Sequence, residues 1–111
     1  MEKNNEERSH AKTLNALGLC AKARRLVCGT PMVCEALRGA KKPYLVVEAA
    51  GNSAATAKRI ADKCAFYAVE RIRLEIDGEM LATAIGKSGR VAVVAITDEN
   101  LCRLVRGTIK Q

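Results

Sequence analysis

The sequence predicts an α/β protein: a three-layer α/β/α sandwich on a mixed sheet of about four strands. Three observations predict it. Segments whose apolar residues recur at helical spacing alternate with short apolar runs punctuated by glycine and proline. The 111 residues are the size of one domain and enough to bury one core. Hydrophobic residues make up 49% of the chain and charged residues 28%, the balance of a folded chain and not of a disordered one. No internal repeat or low-complexity linker interrupts the alternation, so residues 9–111 read as a single domain behind a flexible polar segment, 1–8.

Ala11, Leu14, Leu17, Gly18 and Ala21 place a first amphipathic helix from Ser9, its cap, to about Ala23. Leu26, Val27 and Cys28 make a brief strand that stops at Gly29. Thr30 and Pro31 open the next helix. A threonine hydroxyl can accept a free backbone N–H, and proline has no N–H to leave unsatisfied. Val33, Ala36, Leu37 and Ala40 form its buried stripe, and Gly39 with Pro43 marks its end. Tyr44 to Ala49 is a compact apolar run between Pro43 and Gly51, the pattern of a buried strand.

After the turn Gly51-Asn52-Ser53, a third helix sets Ala57, Ile60, Ala61, Cys64 and Ala68 against Lys58, Arg59, Asp62 and Lys63 on its far side. From Glu70 to Ile76 the chain alternates, with Ile72, Leu74 and Ile76 on one face and Arg71, Arg73 and Glu75 on the other, which suits a strand near a sheet edge. Asp77 caps a short helix through Leu81, Ala84 and Ile85. The loop from Gly86 to Arg90 then leads into a strand from Val91 to Ile96. Leu101, Leu104 and Val105 place a final helix after Thr97 and Asp98. Tyr44, Phe66 and Tyr67 are expected in the core.

Several function classes are excluded by composition. The longest apolar runs are far below the roughly 20 residues that span a bilayer, and Met1 to Lys12 lacks the apolar stretch of a secretory signal, so a cytoplasmic protein is expected. Cys20, Cys28, Cys34, Cys64 and Cys102 contain no Cys-x-x-Cys pair and have only His10 to join them. They read as small core residues, with no disulfide framework and no metal. Catalysis needs a nucleophile with a base, paired carboxylates or a metal cluster. The acidic pairs Asp77/Glu79 and Asp98/Glu99 sit at helix starts, where capping and the macrodipole account for them. Gly86-Lys87-Ser88 resembles the end of a nucleotide-binding loop, but Leu81 occupies the required earlier glycine position and the segment runs from helix to strand. No enzyme, cofactor or small-molecule substrate is indicated.

The net charge of +7 is unevenly spread. Residues 8–47 carry eight basic side chains against Glu35 alone, residues 48–86 are close to neutral, and residues 87–111 carry five basic against two acidic. A charged face assembled from both ends of the chain attracts phosphate. Two loops stand out within it. Gly29-Thr30-Pro31-Met32 begins a helix whose first N–H groups can face an anion, with Lys22, Arg24 and Arg25 just upstream. Gly86-Lys87-Ser88-Gly89-Arg90-Val91 holds two cations among glycines that let a ligand approach the backbone. The site expected is an RNA cradle made of these residues.

The stretch from Leu19 through Gly29, then Tyr44-Leu45-Val46-Val47, the helix from Asn52 to Cys64, and Leu81 to Gly86 leading to Val91 through Asp98 resemble the kink-turn-binding ribosomal proteins of the L-seven-Ae and L-thirty-e type. The similarity is closest to that family's short bacterial homologues and covers roughly residues 14 to 106. It implies an α/β/α sandwich that binds kinked RNA through the same two loops, as a ribosomal or ribosome-associated protein; a monomer is expected. The family's RNA binders carry asparagine and glutamate where this chain has Pro31 and Met32, and a lysine where it has Glu35. Proline and methionine cannot hydrogen-bond base edges, so phosphate contacts are expected to weigh more here. The alternative is a protein-interaction module on the same fold, with Pro31, Met32 and Val33 as its apolar contact.

Overall fold

The computed structural model describes the backbone of residues 2–109 and the side chains of residues 10–109. The elements follow the predicted alternation: α1 (Glu2–Lys22), β1 (Leu26–Cys28), α2 (Thr30–Arg38), β2 (Leu45–Ala49), α3 (Ala54–Phe66), β3 (Arg71–Leu74), α4 (Gly78–Ala84), β4 (Val93–Ile96) and α5 (Glu99–Thr108). The strands form one mixed four-stranded sheet in the order β1-β4-β2-β3, with β4 antiparallel to β1 and β2, and β3 parallel to β2.

The alternation of side chains along β2 and β4 divides the core between two helix layers. Leu45, Val47, Val94 and Ile96 meet Leu17, Leu81 and Val105 from α1, α4 and α5. Val46, Val93 and Ala95 meet Val33, Leu37, Ile60 and Cys64 from α2 and α3 on the other face. Each fully buried aliphatic side chain of this size contributes about 1.5–3 kcal/mol. All five cysteines are free, and four are buried. Among the described residues, no helix is long and apolar enough to cross a membrane.

Four departures from the sequence reading stand out in the fold. α1 begins at Glu2, so Ser9 lies inside it instead of capping it; the side chains of the expected flexible segment 1–8 lie outside the described residues. β4 begins at Val93, because Val91 turns into the core and donates its N–H to Gly78 O at 3.0 Å.

The third departure is Glu48. It lies in the buried run of β2, 2% exposed, and accepts a 2.5 Å hydrogen bond from Arg71 on the edge strand. The last concerns the aromatics. Only Tyr67 packs against the core; Phe66 is 79% exposed and Tyr44 42%. Phe66 ends α3 two residues past Cys64, a rotation of about 200° from the buried stripe. Tyr44 precedes β2 and is held by its backbone, whose N–H donates to Ile96 O at 2.8 Å.

Candidate nucleic-acid interface

The antiparallel ladder of β1 and β4 decides where α2 starts. Gly29 continues that ladder, its N–H donating to Val93 O at 2.9 Å, and then adopts φ 91°, ψ 150°, a conformation essentially reserved for glycine. The helix therefore begins at once. Gly29 is its cap residue and Thr30 its first residue, so the threonine hydroxyl does not cap the helix as expected, and no side chain does. Val33 N–H reaches Gly29 O at 2.9 Å. The first-turn N–H groups of Thr30 and Met32 are left without intrahelical acceptors, and Pro31 has none to leave.

The second loop is held at both ends. At the end of α4, Gly86 takes φ 80°, its N–H bonds Thr83 O at 3.2 Å and Lys87 N–H bonds Ala82 O at 2.9 Å, a Schellman closure. Gly89 also has positive φ, 81°. Val91 ties the far end to Gly78, where an added Cβ would come within 3.1 Å of Val91 O. Lys87, Ser88, Gly89 and Arg90 are all exposed between these anchors, while Val91 is buried. The loop thus offers backbone and cations, with the Val91 side chain committed to the core.

The two loops meet through β4, whose first residue accepts from Gly29. Cys28 records their proximity: burial pushes its thiol above the ordinary range, and the Lys87 ammonium pulls in the opposite direction. A third loop joins them, one the sequence reading did not single out. Asn52 Nδ2 donates to Ala49 O at 3.1 Å and Ala92 O at 3.2 Å, fastening the turn after β2 to the start of β4. An asparagine beside Gly51 in a turn was its only signal. α3 also starts at this rim, capped by Ser53, so two helix N-termini with their positive dipole ends face the same side as Lys87 and Arg90.

Lys22, Arg24 and Arg25 are not brought into this group. Thr97 N–H donates to Arg25 O at 3.0 Å, which fixes Arg25 beside the C-terminal end of β4, whereas Gly29 stands beside its N-terminal end. Four extended residues separate these backbones by about 13 Å. On α2, Pro31, Met32, Glu35 and Arg38 form the exposed stripe. Glu35 makes no ion pair among the described residues, and neither do Lys87 and Arg90. Cys34 is buried. Val33 is fully buried as well, so it cannot take part in the apolar contact expected of it, whereas Met32 is 56% exposed.

No protein-family model matches the chain. Over 84 residues it is 42% identical to the RNA-binding protein YlxQ of Bacillus subtilis, a match that covers 75% of this chain and 80% of the relative. A Bacillus halodurans protein described as being of unknown function superposes with a TM-score of 0.81 at 32% identity, over 91% of this chain and 99% of that one. The Giardia lamblia 15.5kD RNA binding protein has the same fold, with a TM-score of 0.77 at 17% identity over 91% of this chain and 84% of its own. By its identity to YlxQ and the share of both chains matched, the chain belongs to the YlxQ family of L-seven-Ae-like proteins.

Proposed function

We propose that this chain is a non-catalytic, cytoplasmic RNA-binding protein, ribosomal or ribosome-associated, that acts as a monomer through one domain, residues 9–111. Its site is the cradle formed by Gly29, Thr30, Pro31 and Met32 with Gly86 through Val91. The observation that carries this reading is the Gly29–Val93 hydrogen bond, which joins a helix start whose first N–H groups lack intrahelical acceptors to a glycine loop bearing Lys87 and Arg90, cations that enter no ion pair among the described residues. The description of YlxQ as an RNA-binding protein supports it.

Phosphate neutralisation dominates affinity in this reading, and the fit of a kinked backbone to the rigid pair of loops supplies preference for a bent RNA over a straight one. Pro31 and Met32 contribute shape and apolar contact, not hydrogen bonds to base edges. Binding of the purified protein to a kink-turn RNA and to an unkinked duplex of equal length, across a salt series, tests this. Tighter, salt-sensitive binding to the kinked RNA is expected; absence of binding to both RNAs would overturn the proposal.

A second reading, a protein-docking module, is favoured by one observation, the exposed Met32 beside Pro31. Met32→Ala separates the two. It removes the exposed apolar side chain without adding charge, so phosphate-driven RNA affinity should stay within a few-fold while a protein contact centred on that side chain is lost.

A further inference from the structure

The rim of the sheet opposite the glycine loops carries its own combination of cations and exposed aromatic rings. Hydrogen bonds define it: Thr97 N–H to Arg25 O at 3.0 Å, Tyr44 N–H to Ile96 O at 2.8 Å and Val46 N–H to Glu70 O at 2.9 Å place Arg25, Tyr44 and Glu70 in a row along one edge. The C-terminal ends of α1, α2 and α3 lead into this edge, because each is followed by the strand that starts there.

Phe66 stands 79% exposed at the end of α3 and meets Tyr67 edge-on, with ring centroids 4.8 Å apart. Tyr67 in turn lies under the Lys42 ammonium, 4.7 Å from its centroid. Tyr67 is thereby fixed from two sides, and the outer face of Phe66 is left to solvent.

The charges at this rim are divided. Lys42 is engaged by Gly39 O at 2.6 Å, whereas Lys22, Arg24, Arg25 and Lys41 are exposed and enter no ion pair among the described residues. The acids nearby are already occupied: Glu70 pairs with Arg106, Glu99 with Arg103, and Asp98 caps α5. The unengaged charge is positive, and it lies with exposed aromatic faces. Stacking faces beside unpaired cations are the chemistry that holds single-stranded nucleic acid, with bases on the rings and phosphates on the cations.

From this arrangement we infer that the rim of Phe66, Tyr44, Lys41, Arg24 and Arg25 binds a single-stranded RNA segment that flanks the structured RNA held in the glycine-loop cradle. The inference rests on the RNA-binding reading above, and it explains why a cationic cluster next to Gly29 in sequence faces away from it in space. RNA held at both rims would follow the molecule from one end of the sheet to the other.

The test uses the whole chain and two RNAs: a blunt-ended kink-turn stem, and the same stem with a ten-nucleotide oligouridine tail. The tail is expected to tighten binding about tenfold through base stacking and added phosphate contacts. Phe66→Ala and Lys41→Glu should remove most of that gain while leaving the blunt stem bound within about twofold of wild type. Both side chains are exposed, so folding is not at risk, and circular dichroism verifies it.

If the blunt stem binds but the tail adds nothing, or adds affinity that neither variant reduces, the second surface is overturned and the cradle stands. If neither RNA binds, the RNA-binding reading fails and this one with it. A dimer that Phe66→Ala dissociates would overturn it too, assigning the rim to a second copy of the chain.

Discussion

The N–H of Gly29 donates to the carbonyl of Val93 at 2.9 Å, and through this bond the start of α2 and the loop that delivers β4 become one rigid rim. Neither loop is long, and each is anchored at both ends. The cradle therefore exists before any ligand arrives, which lowers the ordering cost of binding.

Gly29→Ala tests that rigidity. An added Cβ would meet nothing within 4 Å, so the penalty comes from the backbone conformation alone, about 1–3 kcal/mol. Chemical denaturation should show a loss in that range. RNA affinity should fall as well, because the chain escapes the strain by shifting the first turn of α2.

Lys87→Glu and Arg90→Glu should each weaken RNA binding and flatten its dependence on salt, each lowering the slope of log K against log salt by about one. Anisotropy titrations at several ionic strengths measure this directly. Unchanged slopes would place the phosphates elsewhere.

Glu48 and Arg71 make a different prediction, about stability. The Glu48 carboxylate is buried and its partner's side chain is 35% exposed, so the pair fastens the edge strand β3 to the central strand β2 across their parallel register. Arg71→Leu leaves a buried carboxylate uncompensated and should cost about 3 kcal/mol in urea unfolding. Glu48→Leu combined with Arg71→Leu should recover most of the loss.

Cys28 is a built-in reporter of the cradle. Burial raises its pKa and the Lys87 ammonium opposes that rise, so removing the ammonium should raise the pKa further. The thiolate is the reactive form. Lys87→Gln should therefore slow iodoacetamide labelling of Cys28 at pH 8 and move the midpoint of its pH profile upward. Faster labelling in the variant would contradict the proximity of the two groups.

The parts of this molecule that were legible in its sequence are those written in local chemistry. Gly29 and Gly86 announce loops because positive φ is a property of single residues, and the helix stripes announce two-sided burial because periodicity is local. Other features depend on pairing across the chain. Arg25 sits four residues from Gly29, yet the short strand between them carries it to the other rim. Glu48 reads as part of an apolar run until the β2–β3 register brings Arg71 to it. Phe66 reads as core until the end of α3 is placed, and Asn52 reads as a turn residue until Ala92 lies beside it.

The most direct test of the central claim is a titration of isotope-labelled protein with the blunt kink-turn stem, followed by amide chemical shifts. The largest changes are expected at Thr30, Met32 and residues 86–91, where free N–H groups and exposed cations meet the RNA. Changes confined to other surfaces, with those amides unmoved, would contradict it.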